Sequence, residues 1–252
     1  MATSELAMAK SAVTTRVAAA AEGQTGPVPA AASAPGAAPL FPIALRIAGR
    51  NCVVIGGGLI ASRKADDLLR AGARVRAVAP EWGAEFEALA TARAGEVERV
   101  TRRFEPDDLD GALLVFAATD DRDVQLAVHR EAAARGVLCN VVDVTDLCEF
   151  HVPATVRRGA LSISVATDGA FPLLAVKLRD RLARLVGAAF GPALEKLAAA
   201  RAAVRGRHPH DHPARMRRLR ELLTDDALDQ LLEGRSDDFE RHLRSWQASL
   251  SD

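Results

Sequence analysis

Residues 53–69, VVIGGGLIASRKADDLL, place three consecutive glycines between an apolar run and a segment of helical spacing. The pattern Gly56-x-Gly58-x-x-Ala61 is typical of a dinucleotide-binding turn, because the first glycine permits the turn and the second lets backbone N–H groups approach a pyrophosphate. The positive end of the following helix would hold that pyrophosphate. A glycine-rich turn without a ligand is the alternative. The cofactor-binding residues assigned here are Gly56, Gly57, Gly58, Leu59 and Ile60.

A carboxylate follows the apolar stretch VLCNVV at Asp143. We expect it at the edge of a buried sheet, facing the cofactor, where burial would strengthen its affinity for a proton and suit it to act as a base. A helix cap or a solvated loop residue is the alternative. Glu81, near the end of the second strand, is the only nearby acid for the adenine ribose, and no arginine follows it directly, so the sequence favours NAD over NADP.

Arginines supply the candidate substrate contacts. Arg157 and Arg158 form a basic turn, and residues 201–220 hold seven arginines against one aspartate. Guanidinium groups bind carboxylates and phosphates, so a polyanionic small molecule would fit, although a solvated helix face explains the same pattern. The segment HPHDHP, residues 208–213, has three histidines, but its two prolines favour a loop over a metal site.

The composition of the chain limits which other classes of protein and of binding site are possible. The 252 residues carry 33 basic and 33 acidic side chains, which gives no argument for nucleic acid or for a membrane. Three cysteines without metal-type spacing argue against a disulfide framework or a zinc site, and favour the cytoplasm. No metal site is therefore predicted.

Strand and helix patterns alternate from residue 41 to residue 150, with central strands apolar throughout, as in NCVVI and ALLVFAAT. This predicts an α/β fold with a Rossmann-like, doubly wound parallel sheet. Ligands of such folds bind beyond the carboxyl ends of the strands. Those ends are Gly56–Gly58, Ala79–Glu81, Thr119–Asp121 and Asn140–Asp143, and they add Ala79, Pro80, Glu81, Ala118, Thr119 and Asp120 to the cofactor site.

Four regions are predicted. Residues 1–40 are rich in Ala and Pro and form a disordered tail. Residues 41–150 form the NAD-binding domain, and residues 151–186 form a segment too short for its own core, which suggests dimerisation. Residues 187–252 form a helical carboxyl-terminal domain, in which Thr224 and Ser236, each followed by two aspartates, suit helix N-caps.

Three segments in combination resemble the amino-terminal module of siroheme synthases: FPIALRIAGRNCVVIGGGLIASRKADDLLRAGARVRAVAPE, VFAATDDRDVQ and CNVVDVTDLCEFHVPATVRRGALSISVATDGAFPLLAVKLRDRL. The resemblance runs from about Phe41 to Leu185. It implies NAD-dependent oxidation of precorrin-2 to sirohydrochlorin, with insertion of ferrous iron (Fe2+) as a second reaction, in a homodimer. A dehydrogenase without chelatase activity and a non-catalytic NAD(H)-sensing module are the alternatives.

The resemblance also implies residue roles. The aspartate of NVVD maps to Asp143 and is expected to be the catalytic base, and the substrate is a tetrapyrrole with eight carboxylates. The expected substrate-binding residues are Asn140, His151, Arg157, Arg158 and Thr167. Two positions depart from the family pattern, since Thr167 stands at a serine and Asp168 at a glycine, which places chelatase activity in question. No second glycine-rich α/β pattern follows residue 187, so we expect methylation by another protein.

Overall fold

The computed structural model describes residues 39–250, so most of the predicted tail lies outside the described residues. The strands are β1 (Asn51–Ile55), β2 (Arg74–Val78), β3 (Val97–Val100), β4 (Leu114–Ala117), β5 (Leu138–Val141), β6 (Ala154–Arg158) and β7 (Leu161–Val165). The α-helices are α1 (Leu59–Arg70), α2 (Ala84–Ala92), α3 (Arg122–Arg135), α4 (Pro172–Leu185), α5 (Phe190–Arg207), α6 (His212–Leu222), α7 (Asp225–Leu232) and α8 (Ser236–Ser249). None of these helices has the length and apolar character needed to cross a membrane.

Strands β1 to β5 form one parallel sheet in the order β3-β2-β1-β4-β5, which confirms the predicted Rossmann-like fold. Alternate residues of each strand point to opposite faces. Val54 and Phe116 therefore pack with α1, while Val53 and Val115 pack with α3. Both faces of the sheet are covered, which is why its central strands are almost wholly apolar.

Helix α1 buries Ala61, Ala65, Leu68 and Leu69 at helical spacing. Gly72 then adopts φ 79°, a conformation that favours glycine, and the chain turns into β2. The sequence EWGAEFEALATARAG, residues 81–95, predicts a helix, but helix α2 is shorter than this segment. The reason is that Gly83 is extended and its N–H donates to the carbonyl of Gly57, which holds residues 81–83 at the glycine turn.

An ion pair between the buried Asp108 and the partly exposed Arg102 lies in the loop between β3 and β4. Asp108 is 2% exposed and accepts two hydrogen bonds of 2.8 Å from the Arg102 guanidinium and one of 2.9 Å from the Glu105 N–H. Burial alone would raise the pKa of Asp108, but the bonds from Arg102 and Glu105 outweigh it and hold that pKa below its usual range.

We expect Asp108→Ala to lower the free energy of unfolding by about 2 kcal/mol at pH 7, because it removes a charge-assisted pair and the cap of a short helical turn. A carboxylate with a lowered folded pKa stabilises the fold above its unfolded pKa, and that contribution is lost as the pH falls through the folded pKa. The difference between wild type and variant should therefore shrink below about pH 4. Urea unfolding at several pH values measures it, and a constant difference would contradict this account.

Strands β6 and β7 form a separate antiparallel ribbon that packs against α4, and the remaining helices bury two apolar clusters of their own. Thr224 accepts from the Ala227 N–H as the predicted N-cap of α7. The prediction for Ser236 is wrong by one residue. Arg235 is the N-cap of α8, since its carbonyl already accepts from the N–H groups of Asp238 and Phe239.

Candidate dinucleotide and substrate site

Two glycines of the turn after β1 are required by the protein's own backbone. Gly56 has φ 131°, and a Cβ there would lie 2.1 Å from the carbonyl oxygen of Ala118 at the end of β4. A Cβ on Gly57 would lie 2.1 Å from the carbonyl oxygen of Glu81, beyond β2. These glycines therefore let the turn approach the ends of both neighbouring strands.

Gly58 differs from both, because a Cβ there would meet nothing within 4 Å. It is the N-cap of α1, it offers no side chain to the helix, and the first turn of α1 carries no acid. The first intrahelical bond runs from the Ser62 N–H to the Gly58 carbonyl, so the N–H groups before Ser62 are left without an intrahelical acceptor. Open space before uncapped donors fits the pyrophosphate of a dinucleotide.

Two depressions meet at this turn and share Thr119. The larger, about 420 Å³, joins the start of α1 to the ends of β4 and β5, and its lining includes Gly58, Leu59, Ile60, Ala118, Thr119, Asp120 and Asp143. The smaller, about 140 Å³, joins β1 to the ends of β2 and β3, and its lining includes Gly56, Pro80, Arg103 and Phe104. The strand order reverses at β1, where the chain runs outward to β3 on one side and to β5 on the other, and dinucleotides bind across such a point.

The described structure thus brings Asp143 and the start of α1 into one depression, as predicted from strand ends. Ala79 is buried beside this region, and its Cβ would lie 3.1 Å from a Cβ on Gly57. Glu81 is exposed and contributes its backbone carbonyl to the turn. The roles of these residues in binding remain predictions.

Asp143 is exposed, so the prediction that it is buried at the sheet edge is wrong for the single chain. Strand β5 ends at Val141, and the Val144 N–H donates to the Val141 carbonyl across a tight turn that holds Asp143 at φ 61°. Aspartate tolerates this left-handed conformation better than most residues. The turn lifts the carboxylate out of the sheet, where it lines the larger depression.

Gln125 and Arg103 line the two depressions, although the sequence patterns did not predict either as a site residue. Gln125 is 8% exposed, lines the larger depression, and donates from Nε2 to the Thr119 carbonyl over 2.7 Å, so it fixes the loop after β4 from helix α3. A glutamine within an amphipathic helix gives no sign of this in sequence. Arg103 reaches the smaller depression beside Pro80, although it is more than twenty residues further along the chain. NADP therefore belongs in any cofactor test, because an arginine there could meet a 2′-phosphate.

The predicted substrate residues occupy several places. Asn140 donates from Nδ2 to the Phe150 carbonyl over 2.8 Å, so it joins β5 to the next loop. The pattern FHVPATVRRG predicts a strand that includes His151, but His151 lies in that loop. Its ring lies 3.7 Å from the position of a Cβ on Gly169. The Thr167 hydroxyl accepts from the Phe171 N–H over 3.4 Å, and Asp168 adopts φ 49°. The loop 166–171 therefore packs beside His151.

Arg158 is tied to the backbone. Its Nε donates to the Val186 carbonyl over 2.9 Å and its Nη2 to the Ala183 carbonyl over 2.8 Å, at the carboxyl-terminal end of α4. A positive charge there also complements the negative end of the helix dipole. Arg157 is exposed, whereas the Arg158 guanidinium is engaged by these two carbonyls, so Arg157 is the freer of the two for an anionic substrate.

We expect Arg158→Gln to lower the free energy of unfolding by about 1–2 kcal/mol, because it removes charge-assisted bonds to two helix-end carbonyls. Arg157→Gln is the matched control and should leave that free energy unchanged within about 0.5 kcal/mol. Urea unfolding of both variants gives the comparison. Equal destabilisation by the two changes would show that the contacts of Arg158 contribute nothing particular.

The cysteines are free thiols rather than candidate nucleophiles. Burial raises the pKa of Cys52 to about 11, and burial together with the neighbouring Glu149 carboxylate raises that of Cys139 to about 12. Both thiols are therefore protonated at neutral pH, and the thiolate is the reactive form.

Residues 43–154 match a family described as putative NAD(P)-binding. The siroheme synthase of Methylobacillus flagellatus is 46% identical over 152 residues, which are 60% of this chain and 32% of that protein. The siroheme synthase of Chromobacterium violaceum is 40% identical over 194 residues, which are 77% of this chain and 41% of that protein.

Over 60% to 77% of its length, the chain is similar to these siroheme synthases. This confirms the resemblance inferred from the sequence, and the match to the NAD(P)-binding family confirms the predicted nucleotide-binding domain. The chain spans about a third to two fifths of the length of these curated relatives.

A solved structure, SirC, precorrin-2 dehydrogenase, superposes with a TM-score of 0.63 and 24% identity, covering 82% of this chain and all of the other. Because the identity is low, this likeness supports the fold. It extends the agreement past the parallel sheet into the ribbon and helices that follow.

Proposed function

We propose that this siroheme synthase homologue oxidises precorrin-2 to sirohydrochlorin with NAD. The observation that carries the proposal is the larger depression, which places Asp143 in one cavity with the uncapped start of α1. Homology to siroheme synthases supplies the substrate class. The three free cysteines fit the cytoplasm, which we propose as its location.

Each part of this cavity has a separate task. NAD, when bound, accepts the hydride that the oxidation removes from the tetrapyrrole. The N–H groups at the start of α1 hold the pyrophosphate, and Gln125 keeps the loop of Thr119 in place beside it. Asp143 would accept the proton that precorrin-2 loses in addition to the hydride, so that precorrin-2 and NAD together give sirohydrochlorin, NADH and a proton. Arg157, which is exposed, binds a peripheral carboxylate of the substrate.

We also propose that the protein is a homodimer formed through residues 151–186. Helix α4 and the residue before it expose apolar side chains that a monomer would leave in water, namely Phe171, Leu173, Leu174, Val176 and Leu178. The two-stranded ribbon beside α4 is too small to be stable without further packing. A second copy would cover both.

We expect Leu174→Asp to convert the dimer to a monomer, because Leu174 is 46% exposed in the single chain and a charge would be buried by dimerisation. Leu228→Asp is the control, since that leucine is similarly exposed on α7. Light scattering after size exclusion measures the mass. Dimers of both variants, or a monomeric wild type, would rule out this interface.

The test of the proposed function is an assay of purified protein with precorrin-2 and NAD, followed by NADH absorbance, with NADP in a parallel sample. Turnover with NAD supports the enzyme, whereas NAD binding without turnover identifies the sensing module. Ferrous iron is then added to preformed sirohydrochlorin to assay chelation separately. Asp168 adds a negative charge beside the predicted substrate site, which favours the dehydrogenase without chelatase activity.

A further inference from the structure

A second cluster of chemically versatile side chains lies away from the glycine turn. It comprises His129 on α3, Cys139 on β5 and Glu149 in the loop before β6. One ligand atom from each lies within 4.8 Å of the others. Nothing in the proposed oxidation uses any of these three residues.

The His129 imidazole in this cluster has a ring nitrogen without a hydrogen-bond partner among the described residues. Its Nδ1 is buried and has no hydrogen-bond partner among the described residues, and the Glu149 Oε1 lies 3.6 Å away, which is too far for a hydrogen bond. A buried polar atom left unsatisfied is destabilising, so such atoms in folded proteins usually have a partner, an ion or a water.

The other two residues are held in place by the backbone. The Glu149 N–H donates to the Cys139 carbonyl over 2.9 Å, and the Cys139 N–H donates to the Glu149 Oε2 over 2.9 Å. This reciprocal pair fixes the carboxylate beside the buried thiol and leaves Oε1 directed toward His129. The three side chains therefore need little ordering to act together.

We propose that His129, Cys139 and Glu149 bind a divalent ion of the zinc class. Imidazole nitrogen, thiolate sulfur and carboxylate oxygen are the three ligand types that zinc takes in proteins, and water can complete a tetrahedral site. Tetrahedral bonds of the usual lengths separate neighbouring ligand atoms by about 3.5 Å, close to the 3.6 Å between Nδ1 and Oε1. All three ligand atoms lie within 4.8 Å of one another, so movements of about 1 Å would bring them to these separations.

The charge of the three side chains also suits a divalent cation. A thiolate and a carboxylate together carry two negative charges, which a divalent cation neutralises beside the fully buried Cys139. The metal displaces the thiol proton as it binds. Since Cys139 lies four residues before Asp143 on the same segment, the ion would brace β5 and α3 beneath the proposed catalytic turn without touching it.

Cobalt(II) provides the test, because a thiolate ligand gives an intense near-ultraviolet charge-transfer band that nitrogen and oxygen ligands do not. The full chain, freed of metal by a chelator, should bind one equivalent with this band, and added zinc should bleach it. Cys139→Ser should abolish the band, and His129→Gln should weaken binding by about tenfold or more. Zinc should also raise the melting temperature of the wild type.

Cys52→Ser is the matched control, since Cys52 is equally buried on β1, and Cys148→Ser is a second; both should keep the band. Cobalt bound without the band would show that no thiolate coordinates the metal and would overturn the proposal. So would a band that survives Cys139→Ser. A third outcome would also overturn the proposal: the wild type binds no metal, and His129→Gln lowers its stability. His129 would then only pair with Glu149.

Discussion

Asp143→Asn should lower the rate of precorrin-2 oxidation by about 10²–10⁴-fold while leaving NAD affinity within about twofold of the wild type. The amide keeps the size of the side chain, and asparagine tolerates the φ of 61° that this turn imposes, so the fold is preserved. What is lost is a group able to take the proton that leaves with the hydride. Single-turnover NADH formation and NAD titration of the same sample measure the two effects.

Asp146→Asn is the control, because Asp146 is an exposed carboxylate three residues further along, in the helical turn Thr145–Leu147. It should oxidise precorrin-2 at the wild-type rate. If Asp143→Asn kept full turnover, Asp143 would have no part in proton transfer. If both variants lost activity equally, the effect would come from the general negative charge of the turn.

Gly58→Asp should weaken NAD binding by at least about 100-fold, because a carboxylate would occupy the open space before α1 and repel the pyrophosphate. The same change should leave the melting temperature unchanged or slightly raised. Gly58 has the extended conformation of an N-cap, where aspartate is among the preferred residues. Loss of ligand with retained stability is a result that a misfolded variant cannot produce.

Gly58→Asn separates bulk from charge, and it should bind NAD more tightly than Gly58→Asp does. Gly57→Ala should instead lose stability together with binding, because its Cβ would overlap the Glu81 carbonyl. Calorimetric titration with NAD and thermal melts cover all three variants. Wild-type affinity in Gly58→Asp would mean that no pyrophosphate lies at this helix.

The three glycines of the turn differ in how much of their role the sequence could predict. The pattern identified the turn, its position between strand and helix, and the class of ligand, because strand and helix periods are local properties that the order of residues already contains. The sequence analysis assigned all three glycines to the cofactor site, although the pattern gave Gly56 the role of permitting the turn. In the structure the first two are required by the backbones of Ala118 and Glu81, which belong to other strand ends.

The sequence by itself determined the alternation of strands and helices, the parallel sheet and the set of strand ends that form the candidate site, since these depend on apolar periodicity and glycine placement. Only the tertiary structure decided that Asp143 stands exposed on a tight turn, that Arg158 is tied to the end of α4, that Arg103 and Gln125 line the depressions, and that His129, Cys139 and Glu149 meet. Such contacts join residues from different elements. Their geometry depends on how those elements pack, which no local pattern along the chain records.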